Sequence, residues 1–120
     1  MSRFSSVKQS CVFSRAYRQG ESFAAKHIVV YKLKRRKKGE NTASSLGLTV
    51  SKKYGKAVER TRARRILREA YRRLFCDIPC GYDIIVVARH SLIDAKMQDA
   101  LYDMRLSFEK LGLLRPEATE

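Results

Sequence analysis

The sequence contains few acidic residues, little histidine, no tryptophan and no long apolar run. Its 120 residues include 12 Asp and Glu against 26 Lys and Arg, and the net charge is +14. The longest apolar run, residues 84–88, is far shorter than the roughly 20 residues that span a bilayer, and no apolar signal segment opens the chain. We therefore predict a cytoplasmic protein with no membrane partner. The excess of positive charge predicts a polyanionic partner, by default a nucleic acid.

Cysteine and histidine are too few and too scattered to predict a disulfide framework or a metal site. Cys11, Cys76 and Cys80 are odd in number, and His27 and His90 lie far from the cysteines in sequence. Zinc sites usually combine two closely spaced ligand pairs, and protein ribonucleases commonly use paired histidines. We therefore predict reduced structural thiols, no metal site and no catalytic residue in the protein.

Hydrophobic periodicity predicts six elements in the order α-β-β-α-β-α. An early helix is followed by strands at 23–33 and 46–52, a helix that covers at least 60–74, a strand at 82–88 and a last helix that ends at Gly112. The fold class is therefore α+β: a single-domain α-β sandwich in which helices pack on a small sheet. We expect one domain over residues 1–114 and a disordered tail over 115–120.

The strand patterns also predict the arrangement of the sheet. Residues 82–88 are almost continuously apolar, which is typical of a central strand buried on both faces. The two earlier strands flank the charged segment 34–43, so we expect them to pair antiparallel across it. Asp94 is the predicted cap of the last helix.

Arginine is concentrated on the helix that covers residues 60–73. Seven arginines and no lysine occupy this span, and Arg60, Arg64 and Arg68 follow each other at four-residue intervals. Like charges at this spacing destabilise a free helix, and a bound polyanion relieves the repulsion. Arginine binds phosphate bidentately and stacks on bases, which favours RNA binding. The alternative is a solvated basic face, and composition alone does not separate RNA from DNA.

The segment SKKYGKAVERTRARRILREAYRR, residues 51–73, resembles the signature of the bacterial ribonuclease P protein family. In that family a strand ending in Val-Ser-Lys-Lys leads through a glycine turn and an Arg-Asn-Arg core into a basic helix. The resemblance extends over about residues 10–110. One position departs from the pattern: Thr61 stands where the family usually has Asn, and its β-branched side chain reaches less far.

The resemblance implies a protein subunit of ribonuclease P, whose catalytic subunit is an RNA that uses Mg²⁺. It implies a ribosomal S5 domain 2-like fold with a left-handed crossover. Crossovers between parallel strands are usually right-handed. The substrate is precursor tRNA, from which the 5′ leader is removed. The residues implied in binding the catalytic RNA are Lys52, Lys53, Lys56, Arg60, Thr61, Arg62, Arg64, Arg65, Arg68 and Arg72. Those implied in binding the leader are Phe13, Tyr17, Val29, Tyr31 and Ser51.

The aromatic residues support a leader site independently of the resemblance. Phe13 and Tyr17 lie one helical turn apart on the first predicted helix, and Tyr31 lies on the neighbouring strand. Aromatic rings beside a basic rim form a stacking platform for unpaired bases. The alternative is that these rings belong to the core.

Three other functions remain open at the level of sequence. Charge and size alone are also typical of a ribosomal or other structural RNA-binding protein. A DNA-binding regulator is less favoured, because the element before the arginine helix is predicted as a strand and forms no helix-turn-helix. A protein-based nuclease would need ligands or acid–base groups, for which the candidates are His27, His90, Asp83, Asp94, Asp99 and Asp103.

Overall fold

The computed structural model describes residues 5–6, 17–18, 20–34, 45–79 and 81–114 of the chain. Its strands are β1 (Ser5–Ser6), β2 (Glu21–Ala24), β3 (Ile28–Lys34), β4 (Ser45–Thr49) and β5 (Tyr82–Ala88). Its helices are α1 (Ala57–Leu74) and α2 (Met97–Lys110), and short 3-10 turns cover Lys52–Tyr54, Phe75–Asp77 and His90–Asp94. Most of the predicted first helix and the predicted tail lie outside the described residues. In the described part, no helix is long and apolar enough to cross a membrane.

The described strands form one sheet in the order β1-β4-β5-β3-β2. The central strand, β5, is parallel to β4 and antiparallel to β3, and β2 pairs antiparallel with β3 at the edge. Ile84, Ile85 and Val86 are fully buried, so the predicted central strand is confirmed. Helix α1 connects the parallel neighbours β4 and β5, which makes the β4–α1–β5 unit a crossover connection. The α+β sandwich is also confirmed.

Two predictions about the strands were wrong. The single strand expected over 23–33 is a hairpin, in which the Ala25 amide donates to the Ile28 carbonyl at 2.8 Å and the chain reverses between β2 and β3. No glycine or proline marks this turn, and the apolar alternation runs on through it. The predicted pairing between the two early strands is also wrong, because β5 lies between β3 and β4 and satisfies the backbone groups of both.

Both helices pack on the same side of the sheet. The predicted apolar stripe of α1 is confirmed, since its buried residues are Ala63, Ile66, Leu67, Ala70, Tyr71 and Leu74. They meet Ile28, Val30, Ile84 and Val86 of the sheet and Met104 and Phe108 of α2 in one core cluster. The opposite face of the sheet carries a smaller cluster around Leu33 and Ile85, which neither of these helices covers.

The buried face of α2 contains polar residues that its apolar stripe did not predict. Asp103 and Ser107 are buried, whereas Met97 and Leu101 are only partly buried. The Asp103 carboxylate accepts a hydrogen bond of 2.8 Å from the His27 amide, and the Ser107 hydroxyl donates to the Asp103 carbonyl at 2.7 Å. These bonds compensate the loss of hydration, so the two polar side chains are tolerated inside.

Of the two predictions about the ends of α2, the one for its start is wrong and the one for its end is confirmed. Asp94 was wrongly predicted as the cap, because it belongs to the 3-10 turn before the helix. The helix begins at Met97, and the Asp99 carboxylate accepts a hydrogen bond of 3.0 Å from the Lys96 amide. Gly112 has φ +77°, the left-handed conformation that favours glycine after a helix, so its role as the stop is confirmed.

Candidate nucleic-acid interface

The start of α1 is fixed by a close approach between Gly55 and Glu59. The Glu59 carboxylate accepts a hydrogen bond of 2.8 Å from the Lys56 amide, which supplies a partner to an otherwise unpaired group at the helix start. A Cβ atom on Gly55 would lie 2.6 Å from the Glu59 carboxylate oxygen and 3.1 Å from the Ile93 side chain. A side chain at position 55 would therefore displace the Glu59 carboxylate from its contact with the Lys56 amide.

The side chains of α1 and the preceding turn present a broad basic surface. We use the name basic surface for the ten residues implied above in binding the catalytic RNA, all of which lie in the described part. Ser51, Lys52, Lys53, Lys56, Thr61, Arg62, Arg65, Arg68 and Arg72 are exposed, and Arg60 and Arg64 are partly buried. The Nε atom of Arg60 is buried, so that side chain offers its outer nitrogens more readily than Nε. The structure therefore brings together the residues that the sequence selected.

Arg62 of α1 binds protein carbonyls. Its guanidinium donates to the Ile93 carbonyl at 3.3 Å and to the Ala95 carbonyl at 2.8 Å. These contacts join α1 to the turn that precedes α2. Sequence spacing gave no sign of this role, since both carbonyls lie more than 30 positions further along the chain.

Glu69 organises two arginines of the helix surface. Its carboxylate lies 2.9 Å from Nη2 of Arg72 and 3.1 Å from Nε of Arg73. Hydrogen bonds from Arg73 and then from Arg72 lower the pKa of the Glu69 carboxyl below its ordinary value. The acidic residue thus holds Arg72 and Arg73 in defined positions as well as reducing the local positive charge.

A groove of about 750 Å³ runs along this surface between α1 and the start of α2. The residues that line it are Thr61, Arg65, Ile66, Arg68, Glu69, Arg72 and Met97. Its floor is apolar, whereas its rim carries arginine side chains. The groove was not predicted, because Met97 reaches it only through the packing of α2 beside α1.

A second candidate surface lies on the other face of the sheet. The rings of Tyr17 and Tyr31 meet edge to face, with centroids 4.9 Å apart and an angle of 80° between them. The Tyr17 hydroxyl is 3.0 Å from the Thr49 hydroxyl, which connects the segment before β2 to β4. Val29 and Val87 are register partners and lie on the same face as Tyr31. Tyr17 remains 43% exposed, so part of its ring is available to a ligand.

The two surfaces lie on different sides of the molecule. The helices cover the face that bears Val30 and Val86, and the Tyr17–Tyr31 pair lies on the opposite face. Ser51 follows β4 and is exposed where the sheet leads into the basic turn. Phe13, the remaining residue implied in leader binding, lies outside the described residues.

Comparisons with known proteins address the family directly. A family model described as Ribonuclease P matches residues 1–112. A ribonuclease P protein component from Clostridioides difficile is 42% identical over 98 residues, which cover 81% of this chain and 82% of that protein. The counterpart from Symbiobacterium thermophilum is 37% identical over 111 residues, covering 92% of this chain and 94% of the relative. The chain belongs to the ribonuclease P protein family.

The solved structures agree with this assignment. The Staphylococcus aureus RNase P protein superposes with a TM-score of 0.80 at 28% identity, covering 94% of this chain and all of that one. The Thermotoga maritima RNase P protein gives a TM-score of 0.74 at 27% identity. This chain is thus a component of ribonuclease P, an endoribonuclease complex of tRNA processing.

The histidines of this RNase P protein connect backbone segments. The Ser91 hydroxyl donates to the Lys26 carbonyl at 2.9 Å, so the 3.0 Å contact between Ser91 and His27 requires a hydrogen on Nδ1 of His27. Nδ1 of His90 donates to the Tyr54 carbonyl at 3.1 Å. Neither contact forms an acid–base pair between the two histidines. In the described ranges, no three His, Cys, Asp or Glu side chains gather where they could hold a metal ion.

Of the three cysteines, one lies within the described residues. Cys76 is a free, exposed thiol, whereas Cys11 and Cys80 are outside the described residues.

The residues that sequence reasoning missed are Thr49 and Met97, which line the second surface and the groove respectively. The alternation of β4 places Thr49 with Gly47 on one face, and this was the available signal for Thr49.

Proposed function

We propose that this chain binds the catalytic RNA subunit through its basic surface and the 5′ leader of precursor tRNA through the surface around Tyr17 and Tyr31. In this way it assists the endonucleolytic removal of the leader that leaves the mature 5′ end of the tRNA. The observation that carries the proposal is the position of the two surfaces on opposite faces of one sheet. A small protein can then contact both RNA molecules at the same time.

The basic surface has the chemistry of a phosphate-binding site. Arg65, Arg68 and Arg72 are exposed along one helix, and three lysines extend the surface towards the turn before it. Bidentate guanidinium groups match phosphate oxygens, and neutralising each phosphate releases condensed counterions. A rigid helix holds these groups at fixed spacing, which suits a folded RNA better than a mobile tail would.

The tyrosine surface has the chemistry of a site for unpaired nucleotides. The Tyr31 ring is held against Tyr17, and Val29 and Val87 extend the apolar area beside it. Every base has a π face, so stacking of this kind binds single strands with little sequence preference. A 5′ leader is such a single strand.

The chemical step is assigned in this proposal to the RNA subunit, together with Mg²⁺ that the RNA mainly holds. The protein then contributes binding and orientation, and its expected setting is the cytoplasm. His27 and His90 connect neighbouring segments through Nδ1 and form no pair with each other.

Reconstitution tests the proposal. The purified protein alone should leave precursor tRNA intact, and the cognate catalytic RNA alone should cleave it only at high Mg²⁺ concentration. The two together should cleave at low Mg²⁺ concentration. A protein that binds ribosomal subunits and leaves this reaction unchanged would instead be a structural RNA-binding protein.

A further inference from the structure

The groove on the basic surface has an apolar floor, which phosphate binding alone does not explain. Ile66 and Met97 form its floor, and Arg65, Arg68 and Arg72 stand around it. A phosphate group gains nothing from an apolar floor, whereas a nucleobase has an apolar ring face joined through its sugar to a phosphate. We propose that this groove holds one unstacked nucleotide of the catalytic RNA, with the base on Ile66 and Met97 and its phosphates on the arginines.

The proposal rests on the proposed function and adds a specific subsite to it. The charge of the rim supports this occupant, because three arginines line a groove of about 750 Å³. A partner protein that offers only an apolar side chain would supply no negative charge to Arg65 and Arg68. An RNA strand supplies both the flat apolar group and the negative charge.

The walls of the groove are fixed before any ligand arrives. Arg62 on α1 donates to the Ala95 carbonyl at 2.8 Å and so holds the chain just before Met97. The bond of 3.0 Å from the Lys96 amide to Asp99 then starts α2 at that point. A preformed site binds with a smaller loss of conformational entropy, so these contacts favour the bound nucleotide. Arg62 is therefore a positioning residue for the groove.

Glu69 gives the groove an acceptor beside its cationic rim. The carboxylate is held by Arg72 and Arg73 at 2.9 and 3.1 Å. An ionised carboxylate only accepts hydrogen bonds, and its two oxygens can take further donors. The exocyclic amino group of cytosine is one such donor that carboxylates recognise in nucleic acids. We therefore expect the bound base to present an amino group towards Glu69.

This groove differs from the tyrosine surface in both place and construction. It lies on the helices, whereas Tyr17 and Tyr31 lie on the opposite face of the sheet. Its floor is aliphatic and contains the polarisable sulfur of Met97, which adapts to flat ring faces. The two sites can therefore be separated by mutation.

Two adjacent residues provide a matched test. Met97→Glu places a carboxylate on the apolar floor, and Gln98→Glu makes the same change in charge at an exposed neighbour that does not line the groove. We expect Met97→Glu to bind the catalytic RNA about ten-fold more weakly than Gln98→Glu, because the base loses an apolar contact and meets a carboxylate. Chemical probing should show one base protected by the wild type and by Gln98→Glu, and exposed with Met97→Glu.

A milder pair separates base contacts from phosphate contacts and guards against unfolding. Met97→Ala should weaken binding relative to Gln98→Ala without changing the slope of log affinity against log salt, because no phosphate contact is lost. Arg68→Ala should reduce that slope by about one. Thermal melting verifies that each variant is folded.

The outcomes distinguish the subsite from the function that it serves. Equal affinity and an unchanged base protection in both Met97 variants and their Gln98 controls would overturn the groove proposal and leave the proposed function standing. A wild-type protein that does not bind the catalytic RNA would overturn both. A reduced salt slope together with unchanged base protection in Met97→Ala would show that the groove contacts phosphate and no base.

Discussion

The rings of Tyr17 and Tyr31 meet edge to face at 4.9 Å, and the Tyr17 hydroxyl reaches Thr49 at 3.0 Å. Three separate segments of the chain are thus joined on the face of the sheet that α1 and α2 leave uncovered. The Tyr17 ring is held in place by these contacts and is still partly exposed, since 43% of Tyr17 is accessible. These are the properties that stacking with an unpaired base requires.

Removing the Tyr17 ring should separate substrate binding from assembly. Tyr17→Ala is expected to lower the affinity of the reconstituted enzyme for leader-bearing precursor tRNA about ten-fold, because one stacking partner is lost. Its affinity for the catalytic RNA should remain within about twofold of wild type. Tyr102→Ala, a change at an exposed tyrosine of α2, is the control, and binding titrations with and without a leader measure both effects. Equal losses for both RNA molecules would contradict the division into two surfaces.

Arginines of the basic surface should differ according to their protein contacts. Arg60→Ala, Arg64→Ala and Arg68→Ala are each expected to weaken binding to the catalytic RNA and to lower the salt slope by about one per lost phosphate contact. Arg62→Ala should weaken RNA binding without lowering the salt slope, because the groove loses a fixed wall. It should also lower the free energy of unfolding by about 1–3 kcal/mol, because the bonds to Ile93 and Ala95 are lost. Thermal melts and salt titrations on the same samples separate the two classes. An unchanged melting temperature for Arg62→Ala would show that these bonds contribute little.

Gly55→Ala should destabilise the protein through Glu59. The added Cβ would lie 2.6 Å from the Glu59 carboxylate, which must then leave the Lys56 amide. Loss of this contact at the helix start is expected to cost about 1 kcal/mol in the free energy of unfolding. In a Glu59→Ala background the same glycine substitution should cost clearly less, and urea unfolding of the four proteins measures the coupling. Equal costs in both backgrounds would place the strain elsewhere, for example against Ile93.

Tyr54 should make the stability of the protein sensitive to alkaline pH. Its side chain is buried, and its hydroxyl has no hydrogen-bond partner among the described residues. Burial raises the pKa of this phenol above its ordinary value of 10.0, so the folded state favours the protonated form. Its contribution is fully present below pH 10.0 and is lost as the pH rises through the raised folded pKa.

The variant Tyr54→Phe tests this directly. At neutral pH it should be as stable as wild type or more stable by about 1 kcal/mol, because a buried unpaired hydroxyl is removed. Above pH 10 its free energy of unfolding should fall less steeply than that of wild type. A clear loss of stability at neutral pH would mean that the hydroxyl has a partner after all.

Local patterns predicted the parts of the fold that depend on one segment at a time. The stripe from Ala63 to Leu74 and the apolar strand 82–88 are both set by periodicity within a single element. The residues of the basic surface followed from the same segment, because neighbours on one helix stay neighbours in space. The resemblance at residues 51–73 then gave the family, which the comparisons show.

The remaining features depend on contacts between distant segments. The turn between β2 and β3 lacks a sequence signal, and the placement of β5 between β3 and β4 joins strands that are distant in sequence. The burial of Asp103 depends on the His27 amide, which lies 76 positions away.

The sequence by itself determined the helix, its charge and the family, because these are properties of consecutive residues. Only the tertiary structure decided that Arg62 binds protein carbonyls, that Met97 completes a groove, and that the Tyr17 hydroxyl reaches Thr49. The physical reason is that such contacts arise when separate elements pack to bury apolar surface and pair their polar groups. Periodicity within one element does not predict which other elements will pack against it.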